Sequence, residues 1–147
     1  MTVKGISYAA VGFVLFATVA CAQDNPNTGL ETMKVNAGSC VLTLEMANTP
    51  KASQTGLMHR ESMPADRGMV FPIAEGRRAA FWMKNTLIPL DIAFLDGNWT
   101  VLAIEQMQPL DLTTVLGPDG TRIAVEVNQG RFGECGVTPG DQMTAAD

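Results

Sequence analysis

The sequence predicts a mainly β fold, a compact antiparallel sandwich or partly closed barrel carrying one or two short helices. Three observations carry that expectation. Residues 40–47 and 121–127 alternate apolar and polar side chains at period two, as half-buried strands do. Asp96-Gly97-Asn98 separates two extended runs and is a strong hairpin signal. The remaining extended runs are short and bounded by Gly, Pro and Asn, which suits a small β architecture.

Taken in order, Met33–Ala37 is expected to pair with Cys40–Ala47 across Gly38-Ser39. Cys40, Leu42, Leu44 and Met46 share one face of the second strand. Thr49-Pro50 supplies an N-cap oxygen and a proline at the first helical position, so 51–58 should be a short helix, stopped between Gly56 and Arg60. Gly68–Ile73 follows as a strand. Ala79–Lys84 is another, and its Phe81-Trp82-Met83 run suggests a central strand covered on both faces. Pro89 forces Ile88 into extended geometry. Leu90–Leu95 and Trp99–Glu105 flank the hairpin, and Pro109–Gly120 is a long loop. In 121–127, Ile123, Val125 and Val127 are expected inward and Arg122 and Glu126 outward. A turn or short helix at 129–135 leads through Pro139-Gly140-Asp141 to a last extended piece.

The first 22 residues read as a signal peptide. Lys4 is the positive n-region, Ile6–Ala20 is apolar and uncharged, and Ala20-Cys21-Ala22 places small residues for cleavage before Gln23. The expected organisation is a signal peptide over 1–22, a tether over 23–29 and one β-rich domain over 30–147, periplasmic or secreted. The alternative is a lipoprotein anchored through Cys21, although Thr18 replaces the aliphatic residue such signals prefer. No transmembrane segment is expected after signal cleavage. The formal charge of -5 and the absence of Lys/Arg runs beyond Arg77-Arg78 argue against nucleic acid as a partner. In an oxidising compartment Cys40 and Cys135 form an even pair. A disulfide between them would stabilise the domain by about 4–5 kcal/mol in the chain-entropy model; two buried thiols are the alternative.

Gly56-Leu57-Met58-His59-Arg60, Gly68-Met69-Val70-Phe71 and the stretch from Phe81 to Asp96 occur in the order typical of one family. The chain resembles the bacterial and archaeal domain-of-unknown-function family numbered 192 from about Val41 to Met143. The resemblance implies a small, mainly β domain and assigns no biochemical activity.

The candidate pocket comprises Arg60, Trp82, Asn85, Thr86 and Asp91, with Trp82 as a stacking surface and the polar groups as orienting contacts. The same residues also fit a structural role, in which Asn85 and Thr86 end a strand and Asp91 accepts N–H groups of that turn. Arg60 and Arg67 match family positions and suit either a ligand carboxylate or loop fastening. His59 is the only histidine, lies at a position variable in the family, and is expected on the surface after the helix. No Gly-x-Ser-x-Gly elbow or zinc or EF-hand motif is present, and no cofactor is expected.

The sequence thus suggests a non-enzymatic binding module for a small ligand, glycan or other envelope polymer, or an envelope protein. One alternative is a small hydrolase or sugar-active enzyme using Asp91, Arg60 and Glu126, with Glu45 and Glu105 as further carboxylates. Another is a Cu(I) binder built from Met58, His59 and Met63, near Met69 and Met83.

Overall fold

The computed structural model describes residues 26–147; the signal peptide, its cleavage site and Cys21 lie outside the described residues. Among the described residues, nine strands and two short helices follow one another as β1 (Thr32–Ala37), β2 (Cys40–Met46), α1 (Pro50–Thr55), β3 (Arg67–Pro72), β4 (Ala80–Phe81), β5 (Leu90–Leu95), β6 (Val101–Met107), β7 (Val115–Leu116), β8 (Ile123–Asn128), α2 (Arg131–Glu134) and β9 (Thr144–Ala145). Seven strands form one curled half-barrel sheet in the order β6-β5-β8-β3-β2-β1-β9. β4 and β7 form a separate two-stranded ribbon.

The expected β1–β2 and β5–β6 hairpins are present, the latter with a bulge at Phe94/Leu95. One pairing departs from antiparallel order: β2 and β3 are parallel. Parallel neighbours need a crossover, and the segment from Ala47 to Asp66, which contains α1, supplies it. Helix α1 begins as expected, with the Thr49 hydroxyl accepting the Ala52 N–H at 3.1 Å and Pro50 in the first turn. It ends earlier than expected, at Thr55, because Gly56 turns to φ 49°.

Two apolar clusters lie on opposite faces of the sheet. The first joins Val35, Leu42, Leu44, Val125 and Val127 to Phe132, Cys135 and Val137 beyond the last long strand. Cys40 and Cys135 are bonded across this face, with Cα atoms 5.3 Å apart. Gly38 makes the approach possible: it holds φ 58°, and a Cβ there would collide with the Cys135 carbonyl, which accepts the Ser39 N–H at 2.9 Å. The second cluster gathers Leu57, Met69, Phe71, Ile92 and Phe94 beneath α1 and the β4–β7 ribbon.

Two sequence expectations change. The doubly covered strands at the centre are β5, buried at every residue, and β8, buried from Ala124 to Val127. The 79–84 run is not one of them. Only Ala80 and Phe81 are extended, and Trp82 is 49% exposed. The backbone explains this: the Met83 N–H leaves the ribbon to donate to the Asp111 carbonyl at 2.9 Å. Glu126, expected outward, is buried. The period-two reading assumed a solvent face, whereas β8 lies between β3 and β5 and has none.

Candidate functional site

Register places every carboxyl group of the central sheet. Glu126 of β8 lies opposite Met69 of β3 on one side and Ile92 of β5 on the other. The same row continues to Glu45 on β2 and Glu105 on β6. Asp91 pairs with Val127, one residue along, so strand alternation sends it to the opposite face.

On its face, Glu126 forms part of a cleft of about 720 Å³ between α1, the 73–78 loop and the ribbon. Leu57, Phe71, Phe81 and Trp82 give it apolar and aromatic walls. Phe81 packs edge-on to Phe71, with ring centroids 5.2 Å apart, and is tilted against Phe94 at 6.0 Å. Asn48, Ser53, Gln54 and Thr86 add polar atoms, and Arg77 and Arg78 line the same cleft. Trp82 carries the Lys84 ammonium 5.4 Å from its ring.

Glu126 is only 5% exposed and makes no side-chain hydrogen bond with another described residue. Burial alone pushes its carboxyl up to about 8, because desolvation penalises the charged form. A buried carboxyl is normally held by donors; Glu126 instead lines the cleft, while the fully enclosed polar atoms without a partner among the described residues are His59 Nε2, Asp91 Oδ1 and Arg131 Nε.

The sequence-predicted residues separate. Trp82 and Thr86 reach the cleft; Arg60, Asn85 and Asp91 do not line it. Arg60 is committed elsewhere, holding Glu45 with both guanidinium nitrogens at 2.7 and 2.8 Å and donating to the Asn27 carbonyl at 3.0 Å. Asn85 is a turn residue at φ 55°, a conformation Asn tolerates, and its carbonyl accepts the His59 N–H at 2.8 Å. Thr86 is buried, and its hydroxyl donates to the Lys84 carbonyl at 3.3 Å.

Asp91 is buried as expected of a structural acid, but it does not accept the N–H groups of the Asn85–Thr86 turn. Its Oδ2 accepts the Gly130 N–H at 2.9 Å, at the entry to α2, and Oδ1 is buried without a partner. Burial raises its carboxyl, while the Gly130 and Phe132 amides pull the other way. The turn from β8 into α2 takes it because register points it to that face.

His59 also differs from expectation. It is partly buried at φ 64°, and its Nε2 is enclosed with no hydrogen-bond partner among the described residues. Met58 lies on the cleft wall, whereas Met63, Met69 and Met83 pack in the second apolar cluster. These sulfurs do not converge on an exposed point. Among the described residues no three His, Cys, Asp or Glu side chains gather as a metal set.

The hydrolase constellation is not assembled. Asp91 and Glu126 occupy opposite faces, and Glu45 and Glu105 each sit two strands from Glu126, roughly 9–10 Å at ordinary strand spacing. Glu45 is in addition occupied by Arg60. Sequence reasoning missed Arg77 and Arg78 as cleft residues and missed Glu126 as an inward group. The available signal was an acid inside the nearly continuous apolar run Ile123-Ala124-Val125-Glu126-Val127.

No helix among the described residues is long and apolar enough to cross a membrane. No curated protein matches the chain. Solved structures similar to the chain include the following two. One, from Sinorhizobium meliloti 1021, is described as a proposed transcription regulator; it is 30% identical, with 81% of this chain and 97% of that one covered and a TM-score of 0.76. The other is a protein of unknown function from Novosphingobium aromaticivorans DSM 12444; it is 31% identical, with 91% and 99% covered and a TM-score of 0.71. The family model described as an uncharacterized ACR matches residues 32–145, and the chain belongs to that family, the domain-of-unknown-function family numbered 192.

Proposed function

We propose that this chain is an exported, non-enzymatic binding module whose site is the cleft between α1 and the β4–β7 ribbon. One observation carries the reading: the half-exposed Trp82 and the buried, unpartnered Glu126 belong to the same concave surface. An apolar wall with a few placed polar groups is how proteins hold small molecules. The recessed carboxyl favours a small ligand over a polymer or a protein face, because only a small group reaches it. The bonded Cys40–Cys135 pair supports a periplasmic or secreted location. The acidic chain offers little to a nucleic-acid backbone, so the regulator description of the Sinorhizobium protein is not carried over.

A thermal-shift screen against small amphipathic metabolites tests this. A ligand at 100 times its Kd stabilises the fold by about 2.7 kcal/mol. Trp82→Ala should leave the unliganded transition within about 0.5 kcal/mol of wild type, as expected for a half-exposed surface residue, and should abolish the shift. A shift that survives Trp82→Ala places the ligand elsewhere and overturns the reading.

A further inference from the structure

Building on the cleft as a binding site, we propose that its ligand is a zwitterion of the amino-acid or short-peptide class. Its ammonium group lies against Glu126, its apolar body along Phe71, Phe81 and Trp82, and its carboxylate at Arg77 and Arg78. Among the described residues, the charged ones lining the cleft are Glu126, Arg77 and Arg78. Glu126 is recessed, whereas both arginines are exposed and form no salt bridge with another described residue. The cleft therefore holds a protonatable carboxyl at depth and two guanidinium groups at its rim.

Each simpler ligand leaves something unmatched. A plain anion would satisfy the arginines but hold Glu126 in its protonated form, and it would meet a like charge once that carboxyl ionises. A plain cation would satisfy Glu126 and leave both guanidinium groups without a partner. A zwitterion meets both through charge-assisted hydrogen bonds. The aromatic walls suit an apolar side chain and also favour a cation passing over their faces.

Among the described acids of the sheet and the 73–78 loop, none but Glu126 lines the cleft, and Glu75 is exposed beside Arg122. Glu45 is held by Arg60, Glu105 is exposed two strands away, and Asp91 faces the other side of the sheet. The immediate sheet neighbours of Glu126, Met69 and Ile92, are apolar and fully buried. Burial keeps the proton on the Glu126 carboxyl near neutrality, with its titration at about 8. An arriving ammonium stabilises the carboxylate, so binding near pH 7 releases that proton to solvent, about one per ligand.

Calorimetry on the whole chain at pH 6 and pH 8 tests the proposal with four probes: L-phenylalanine, diphenylalanine, phenethylamine, which lacks the carboxylate, and 3-phenylpropionate, which lacks the ammonium. One of the two zwitterions should bind at least about tenfold tighter than either truncated probe, the loss expected for a charge-assisted hydrogen bond. Which zwitterion binds tighter distinguishes free amino acid from peptide. L-phenylalanine affinity should rise by up to roughly tenfold per pH unit between pH 6 and 8, whereas the rise for diphenylalanine should level off as its own amino group titrates at about 7.7–8.0, with proton release visible in buffers of different ionisation enthalpy. Glu126→Gln should remove both the pH dependence and the release. The double variant Arg77→Ala/Arg78→Ala should bring L-phenylalanine down to the phenethylamine level, and it keeps the test open if Glu126→Gln does not fold.

Equal binding of 3-phenylpropionate and L-phenylalanine, or pH-independent affinity, overturns the proposal. So does failure of both zwitterions while neutral apolar compounds still give a Trp82-dependent thermal shift, and in that case the cleft reading itself survives. If no compound of any charge shifts the transition, both fall.

Discussion

Asp91 and Glu126 lie on adjacent central strands, one residue apart in register, and both are buried. Their surroundings differ. The Asp91 face is closed by the turn into α2, which donates the Gly130 amide to it, and by the Cys40–Cys135 bond. The Glu126 face opens into the cleft, and its carboxyl finds no donor among the described residues. A buried acid fastened to the backbone explains itself as architecture. A buried acid with no donor among the described residues, set against an opening, costs stability when ionised and is free to take a partner from outside, as proposed. The lesson is that burial and sequence motif alone do not separate structure from site; partner count and facing do.

The largest test addresses the closed face. Replacing Cys40 and Cys135 by Ser should lower unfolding stability by about 4–5 kcal/mol in the chain-entropy model, read from denaturant midpoints. The cleft lies on the other side of the sheet, so ligand binding measured well below the new midpoint should persist. Loss of binding in a folded double variant would break the independence of the two faces.

The next test concerns pH. The Glu126 carboxyl titrates near 8 when folded and at an ordinary carboxylate value when unfolded. The folded state therefore binds the extra proton. This contribution is fully present at acid pH and is lost as pH rises through the interval up to about 8, by up to roughly 1.4 kcal/mol per unit. Asp91 is shifted in the same direction, so Glu126→Gln should flatten the stability profile between pH 5 and 8 without removing all of its slope. Urea denaturation across that range measures it, and an unchanged slope in the variant would show that Glu126 is solvated.

A smaller effect is expected at Asp91, which the backbone holds through one carboxylate oxygen. Asp91→Ala leaves the Gly130 N–H without its acceptor and should cost about 1–3 kcal/mol. Thermal unfolding gives the value. A neutral Asp91→Ala would erase the distinction between the two acids, because both would then be dispensable to the fold.

Much of the fold was legible because its signals are local. Thr49-Pro50 caps α1 through atoms three residues apart. Gly38-Ser39 and Asp96-Gly97-Asn98 turn the chain in place, and the alternation of β2 is set by its own side chains. The family motifs likewise identified the domain type. Assignments at individual family-motif residues depend on more than local signals. Trp82 looked central and is half exposed, Asn85 is a left-handed turn residue, and Arg60 serves Glu45.

What the amino-acid sequence determined by itself was where strands, turns and caps occur, since these depend on backbone preferences over a few residues. Only the tertiary structure decided which face each acid occupies, that β2 and β3 run parallel, and that Glu126 joins Trp82, Arg77 and Arg78 around one cleft. Those outcomes depend on strand order. Placing β8 between β3 and β5 removes its solvent face and turns an ordinary-looking polar position into a buried, unpartnered carboxyl.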